Sequence, residues 1–269
     1  MATLVASQAP ADEASTIIGA ARAALGGETK LSSVKTFVVQ GRTRQVQGDN
    51  LVPIEFEISC ELPDRCVRRD EIPARESGPT ATGFNRDELI QIPAPPLAAG
   101  GPVAAGRGGP PAQLAASRVA NTKQDFLRWW LGMFAGSFAS FPVTFTRVGQ
   151  AEAPQGQADV LEAKGPANFT ARLFILKESH LPIMLSWQGQ APGQARGQAS
   201  GQAQGQAPGL TPGQAVENRL YYADYRDVDG LKLPFRLRRG VGADTTEETN
   251  VDRFRVNVRI DPRKFEARP

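Results

Sequence analysis

Hydrophobic and polar positions change their period three times along this chain. From 12 to 25 the apolar residues recur at helical spacing. Ala14, Ile17, Ile18, Ala21 and Leu25 form one face, Asp12 stands where a cap would, and Gly26-Gly27 ends the run. From Val34 the period falls to two. VKTFVVQGRTR predicts a strand with Gly41 as a possible bulge. PIEFEISCEL puts Phe56, Ile58, Cys60 and Leu62 on one face, against Glu55, Glu57, Ser59 and Glu61 on the other. A turn at Pro63-Asp64 leads into CVRRDEI, and GFNRDELIQI predicts a second hairpin turning at 85–87. These are antiparallel strands, wet on one side.

The helical period returns at 121–138, NTKQDFLRWWLGMFAGSF. Phe126, Trp130, Met133 and Phe134 make one stripe, Leu127, Leu131 and Phe138 widen it, and Trp129 adds bulk. Thr122 followed by Asp125 resembles a capping box at the start. A helix apolar around most of its girth must be covered on more than one side. Strands then resume: FPVTFTRVG, ADVLEAKG, FTARLFILKE and LPIMLSWQG, and later ENRLYYADYRDV, LKLPFRLRR and VDRFRVNVRI. In the last two the apolar positions alternate strictly, Leu231, Leu233, Phe235 and Leu237, then Phe254, Val256, Val258 and Ile260. Asp229-Gly230 between such runs signals a tight hairpin.

Two segments have no period. Residues 93–118 are rich in Pro, Gly and Ala and predict a mobile loop. They are not a phosphate loop, because no Gly-Lys-Ser/Thr follows the glycines and no buried strand precedes them. The second begins GQAPGQARGQASGQAQGQAP and runs on to 216. The few strands after it have no helix to cover them, so a separate domain there would leave an apolar face bare. The array is therefore expected to be a loop inserted between neighbouring strands, at a closure cost of about 1–2 kcal/mol. The expectation is a single domain, 1–269, with low-complexity insertions at about 93–118 and 189–215.

Composition narrows the function. With 41% hydrophobic residues in 269, a sizeable core is available. The net charge is only +3, and the densest basic cluster, Arg236, Arg238 and Arg239, is too small for a nucleic-acid face. No apolar run approaches the ~20 residues that span a bilayer. The start, MATLVASQAPADEA, lacks the charged and apolar regions of a signal peptide, which leaves a cytoplasmic protein or a mature exported one. Cys60 and Cys66 flank ELPDR. A three-residue loop would set them opposite each other, within reach of a disulfide, and a two-residue turn would put them on opposite faces.

Catalytic chemistry is not in evidence. His180 is the single histidine, so neither a multi-histidine metal site nor a Ser-His-Asp triad has its parts. Asp227-Val-Asp229-Gly230 fails as a calcium loop, since the first and twelfth ligand positions would be Tyr225 and Arg236. Asn168-Phe169-Thr170 fits a glycosylation sequon, and Glu55, Glu57 and Glu61 read as a solvated strand face. No active site, metal or cofactor is expected.

The order of elements resembles the bacterial lipoprotein carrier family, the LolA/LolB-like outer-membrane lipoprotein-sorting proteins. ELPDRCVRRD resembles that family's Pro-containing hairpin, and TATGFNRDELIQIPAP its short hairpin. RVNVRIDPRKFEARP resembles its closing strand and "D-x-x-x-F-x-x-x-P" ending, with Asp261, Phe265 and Pro269 in place. YYADYRDVDGLKLPFRLRR is similar to a hairpin of distant members. The resemblance implies a mainly β fold with helices (α+β): a half-open antiparallel β-barrel of about 10–11 strands, closed by an N-terminal and a central apolar helix around an apolar cavity for acyl chains. It also implies an arginine before the hairpin proline that bonds to the helical lid. That position is Leu62 here, so such a latch is missing or moved.

These expectations converge on a monomeric, non-enzymatic protein of the periplasm or cell envelope, binding a lipid or lipoprotein acyl chain. The residues expected to line the site are Phe126, Trp130, Met133 and Phe134 of the helix, with Phe37, Phe56, Ile58, Trp187 and Phe235 of the sheet. The alternative is an envelope interaction or sensor scaffold whose core is filled, with a protein partner. An accessory domain of a peptidase system ranks below both.

Overall fold

The computed structural model describes residues 10–47, 50–73, 78–93, 111–190 and 215–266. Two helices lead, α1 (Pro10–Ala24) and α2 (Glu28–Ser33). Five strands follow: β1 (Thr36–Gln47), β2 (Asn50–Glu61), β3 (Arg65–Glu71), β4 (Thr80–Asn85) and β5 (Glu88–Ile92). After α3 (Pro111–Phe134) come β6 (Thr144–Ala153), β7 (Gly156–Gly165), β8 (Phe169–Leu176), β9 (Pro182–Gln190), β10 (Ala215–Val228), β11 (Leu231–Val241) and β12 (Asp244–Val256). A short 3-10 turn, Pro262–Phe265, ends the described chain.

All twelve strands form one open antiparallel sheet, one or two more than the resemblance implies. The order is β5-β4-β3-β2-β1-β12-β11-β10-β9-β8-β7-β6. Sequence neighbours pair throughout, except that β1 pairs with β12 and the connection from β5 to β6 crosses from one edge to the other. That crossing carries α3. The helix touches β4 and β5 near one edge and β9 and β11 on the far half.

Local chemistry explains the turns. Asp229 and Gly230 both have positive φ (56° and 79°), the conformation a two-residue hairpin needs. At Gly41 the β1–β12 register slips, and a Cβ there would lie 2.3 Å from the Asn250 carbonyl, so only glycine fits. The loop between β2 and β3 holds three residues, Leu62 to Asp64, which sets Cys60 opposite Cys66, and the two form a disulfide.

Three expected boundaries differ in the structure. Of the loop expected over 93–118, residues 94–110 lie outside the described ones, and 111–118 are helical, so α3 starts ten residues before the expected 121. Pro111 opens it, where a missing N–H costs nothing, and the Ala-containing stretch 113–118 that follows favours helix while staying exposed. Thr122 is accordingly no cap; it sits mid-helix, and its hydroxyl donates to the Arg118 carbonyl at 3.0 Å. The helix stops at Phe134, leaving Phe138 in the following bend, and β12 stops before Val258 and Ile260.

One face of the sheet carries the main core. On the other face Phe265 is buried against Val67, Ala81 and Ile90, a separate small cluster. Asp261 accepts from the Arg263 amide to start that terminal turn, and Lys264 pairs with Glu57. The repeat itself falls outside the described residues, but the strands that precede and follow it are direct neighbours, with Gln190 opposite Ala215.

Candidate functional site

Alternation in the strands and the stripe on α3 meet at one place. Phe126, Trp130, Met133 and Phe134 are buried together with Phe37, Phe56, Ile58, Trp187 and Phe235 in the main core cluster. The rings touch in sequence: Phe126 to Phe84 (5.7 Å), Phe84 to Trp130 (6.4 Å), Trp130 to Phe138 (4.5 Å), Phe138 to Phe134 (5.6 Å) and Phe134 to Phe37 (5.8 Å). Most are tilted or edge-on, the favoured geometry for such pairs. Phe56 lies beside Trp129 rather than in this chain, and Phe235 meets Phe254 edge-on.

Around Trp130 the described side chains pack closely. Trp130 is 1% exposed, and Leu127 and Leu131 are fully enclosed. An apolar gap lined by Phe37, Met133, Phe134, Leu233, Phe254 and Val256 is too narrow for a water molecule. Two side-chain donors of α3 are buried with no acceptor among the described residues, the indole Nε1–H of Trp130 and the Nε–H of Arg128, and the first lies among the aromatic rings. Leaving such a donor unpaired costs about 1–3 kcal/mol.

Few polar contacts hold α3 in place. The Tyr222 hydroxyl donates to the Arg128 carbonyl, and the Tyr225 hydroxyl lies 2.8 Å from the carbonyls of Gly132 and Pro182. Gly132 is required here, since the Tyr222 ring occupies the place of a Cβ, 2.2 Å away. Burial raises both phenols far above their ordinary range, so they remain donors. At the helix end Arg22 of α1 donates to the Phe134 carbonyl at 2.8 Å. Leu62, the position of the implied latch, packs against the core instead.

The same inner surface has a polar part that the residue pattern did not single out. Arg68 and Asp70 of β3 pair at 2.7 Å with little exposure, and Arg68 lies 4.9 Å over the Phe56 ring. Burial raises Asp70 above the usual carboxylate range, with Arg68 opposing. Burial alone would lower the Arg68 pKa, but Asp70 and Glu247 outweigh it. Farther across, Arg128 lies 4.5 Å over Trp187 and pairs with Asp125 at 2.6 Å, while Arg239 approaches the same ring at 5.6 Å. Burial, opposed by Asp125, lowers the Arg128 pKa. Among the described residues no three His, Cys, Asp or Glu gather as a metal site would need, and no helix is long and apolar enough to cross a membrane.

An open antiparallel sheet crossed by an apolar helix defines this architecture, and its fold is similar to those of two solved proteins. A LolA superfamily protein from Nitrosomonas europaea superposes with a TM-score of 0.54 at 12% identity, covering 94% of this chain and 97% of that one. A putative outer membrane lipoprotein-sorting protein domain from Vibrio parahaemolyticus gives 0.51 at 11% identity, covering 95% and 97%. No family model and no curated protein matches the sequence.

Proposed function

We propose that this chain is a non-catalytic, carrier-like protein of the cell envelope that takes a lipid or lipoprotein acyl chain between its sheet and α3, with α1 and α3 together closing the sheet. The observation that carries this reading is the aromatic and Met-lined layer under α3 with one orphaned donor, Trp130 Nε1, inside it. An acyl chain would extend the apolar layer at about 0.8 kcal/mol per buried CH₂, and its ester or amide carbonyl would give the indole an acceptor. The fold shared with a lipoprotein-sorting domain supports the same ligand class. The Cys60–Cys66 disulfide supports an oxidising compartment such as the periplasm.

Close packing around Trp130 fits a ligand-free carrier. An empty apolar pocket of even ~300 Å³ would cost about 7 kcal/mol at ~24 cal/mol per Å³, so the helix settles onto the sheet when nothing is bound. Entry of a chain then requires α3 to lift, against the hydrogen bonds from Tyr222, Tyr225 and Arg22. The narrowness of the gap by Met133 equally favours the second reading, a filled-core envelope scaffold that contacts a protein partner.

Native mass spectrometry of the purified chain, followed by organic extraction, separates the two. The carrier reading expects retained acyl chains and stoichiometric binding of a hydrophobic dye by folded protein. Absence of both, with Trp130→Ala only lowering stability, leaves the scaffold.

A further inference from the structure

A second apolar surface lies on the opposite face of the sheet. The registers place Phe174 of β8 opposite Met184 of β9, Met184 opposite Tyr221 of β10, and Tyr221 opposite Arg238 of β11. Their neighbours Leu173, Leu185, Leu220 and Leu237 are buried in the main core, so this row points the other way. A row of Phe, Met and Tyr, each half-buried, is unusual on a face whose next positions are Arg172 and Arg236. It floors a groove of about 460 Å³, with the β6–β7 turn at Ala153 and Pro154 on its rim. That volume lies within the ~300–1,000 Å³ range of small-molecule sites.

The groove has a charged end. Arg219, Arg236 and Arg238 line it, and the acid on its rim, Glu152, accepts from Gln157. Arg238 lies 4.5 Å over the Tyr221 ring and forms no ion pair among the described residues. Arg236 reaches Glu248 only at 3.9 Å, and Arg219, 3.6 Å from Glu217, also donates to the Tyr221 hydroxyl and the Gly242 carbonyl. From β8 to β11 the floor runs three strand spacings, about 14 Å at ~4.8 Å each, the reach of a medium acyl chain.

We propose that this groove binds a single-chain anionic amphiphile, its chain laid across Phe174, Met184 and Tyr221 and its carboxylate or phosphate held by Arg236 and Arg238. The site is separate from the space under α3. Guanidinium groups on a rigid sheet suit such a head through charge-assisted, two-pronged hydrogen bonds. The chain supplies burial, and neither half suffices alone.

Calorimetric titration of the full chain with dodecanoate, dodecyl maltoside and inorganic phosphate tests this. Dodecanoate binds, and dodecyl maltoside, lacking the charge, binds at least about tenfold more weakly, as does dodecanoate to Arg236→Gln/Arg238→Gln, the loss of a charge-assisted contact. Met184→Glu, a surface change checked for folding by circular dichroism, removes the component. Phosphate at equal concentration does not displace dodecanoate. Binding untouched by either variant would place the chain under α3 and overturn the groove. Displacement by phosphate alone would reduce it to a simple anion site. A protein partner captured by the parent but not by Met184→Glu, without dodecanoate binding, would overturn the ligand class.

Discussion

Arg22 on α1 donates to the carbonyl of Phe134, the last residue of α3, across 2.8 Å. Carbonyls at a helix C-terminus have no partner within the helix, and a cation there is favourable. Glu28 fixes the same guanidinium from its other side. The contact ties the N-terminal segment to the crossing helix, the two elements that must separate if anything is to enter between α3 and the sheet.

Replacing that guanidinium tests the tie. Arg22→Gln is expected to destabilise the chain by about 1–2 kcal/mol, the worth of a charge-assisted hydrogen bond. It should also increase binding of a hydrophobic dye below the melting transition. Urea melts and dye titration read the two effects separately. A stable variant with unchanged dye uptake would show that the bond does not hold α3 down.

Acid should loosen the same corner. Hydrogen bonds from Arg22 and Ser32 hold Glu28 down to about 2, from its ordinary 4.5. A carboxylate whose pKa is lower folded than unfolded contributes fully above about pH 4.5 and loses its contribution as pH falls towards 2. Its side chain is 69% exposed, so solvent screening limits the effect to under about 1 kcal/mol. Thermal melts across that window should fall more steeply for the parent than for Glu28→Gln.

The Arg68–Asp70 pair should respond asymmetrically. Asp70→Leu strands a buried guanidinium that cannot deprotonate and is expected to cost about 3–5 kcal/mol. Arg68→Met should cost less, because burial already raises the Asp70 pKa and the lone carboxyl can take up a proton. The double variant Arg68→Met/Asp70→Leu should recover most of the loss. Equal costs for the two single changes would show that neither group is buried in the way described.

Excising 191–214 and joining Gln190 to Ala215 through an Asn-Gly turn should leave cooperative melting unchanged to within about 1 kcal/mol. The two residues already face each other across a ladder. Loss of a single transition would mean that the repeat supports the sheet.

Period and turn chemistry made much of this fold legible. Asp229-Gly230, Gly41 and the alternating strands were readable because each obeys a local rule that the tertiary structure keeps. The stripe of Phe126, Trp130, Met133 and Phe134 was readable because bulk on one helix face must be covered. The start of α3 was not, since residues 113–118 are exposed and leave no stripe. In β3 the alternation misleads: Cys66, Arg68 and Asp70 face inward while Val67 faces the terminal turn. A binary pattern sends charges to water, and only the partner strands and Trp129 reveal why these stay inside. Tyr222 and Tyr225 could be assigned to a strand, but the carbonyls they would reach lie on other elements, which periodicity cannot supply.

Among the described residues the sheet ends on β5 and β6, with no further strand paired to either. β5 is five residues long and followed at once by Pro93, a poor template for another chain. β6 is twice that length, with α1 packed against it and Glu13 pairing to its Arg147. The N-terminal helix is thus also a guard against fibre growth: peeled away, it would uncover ten residues of unpaired strand on which copies of the molecule could string together edge to edge.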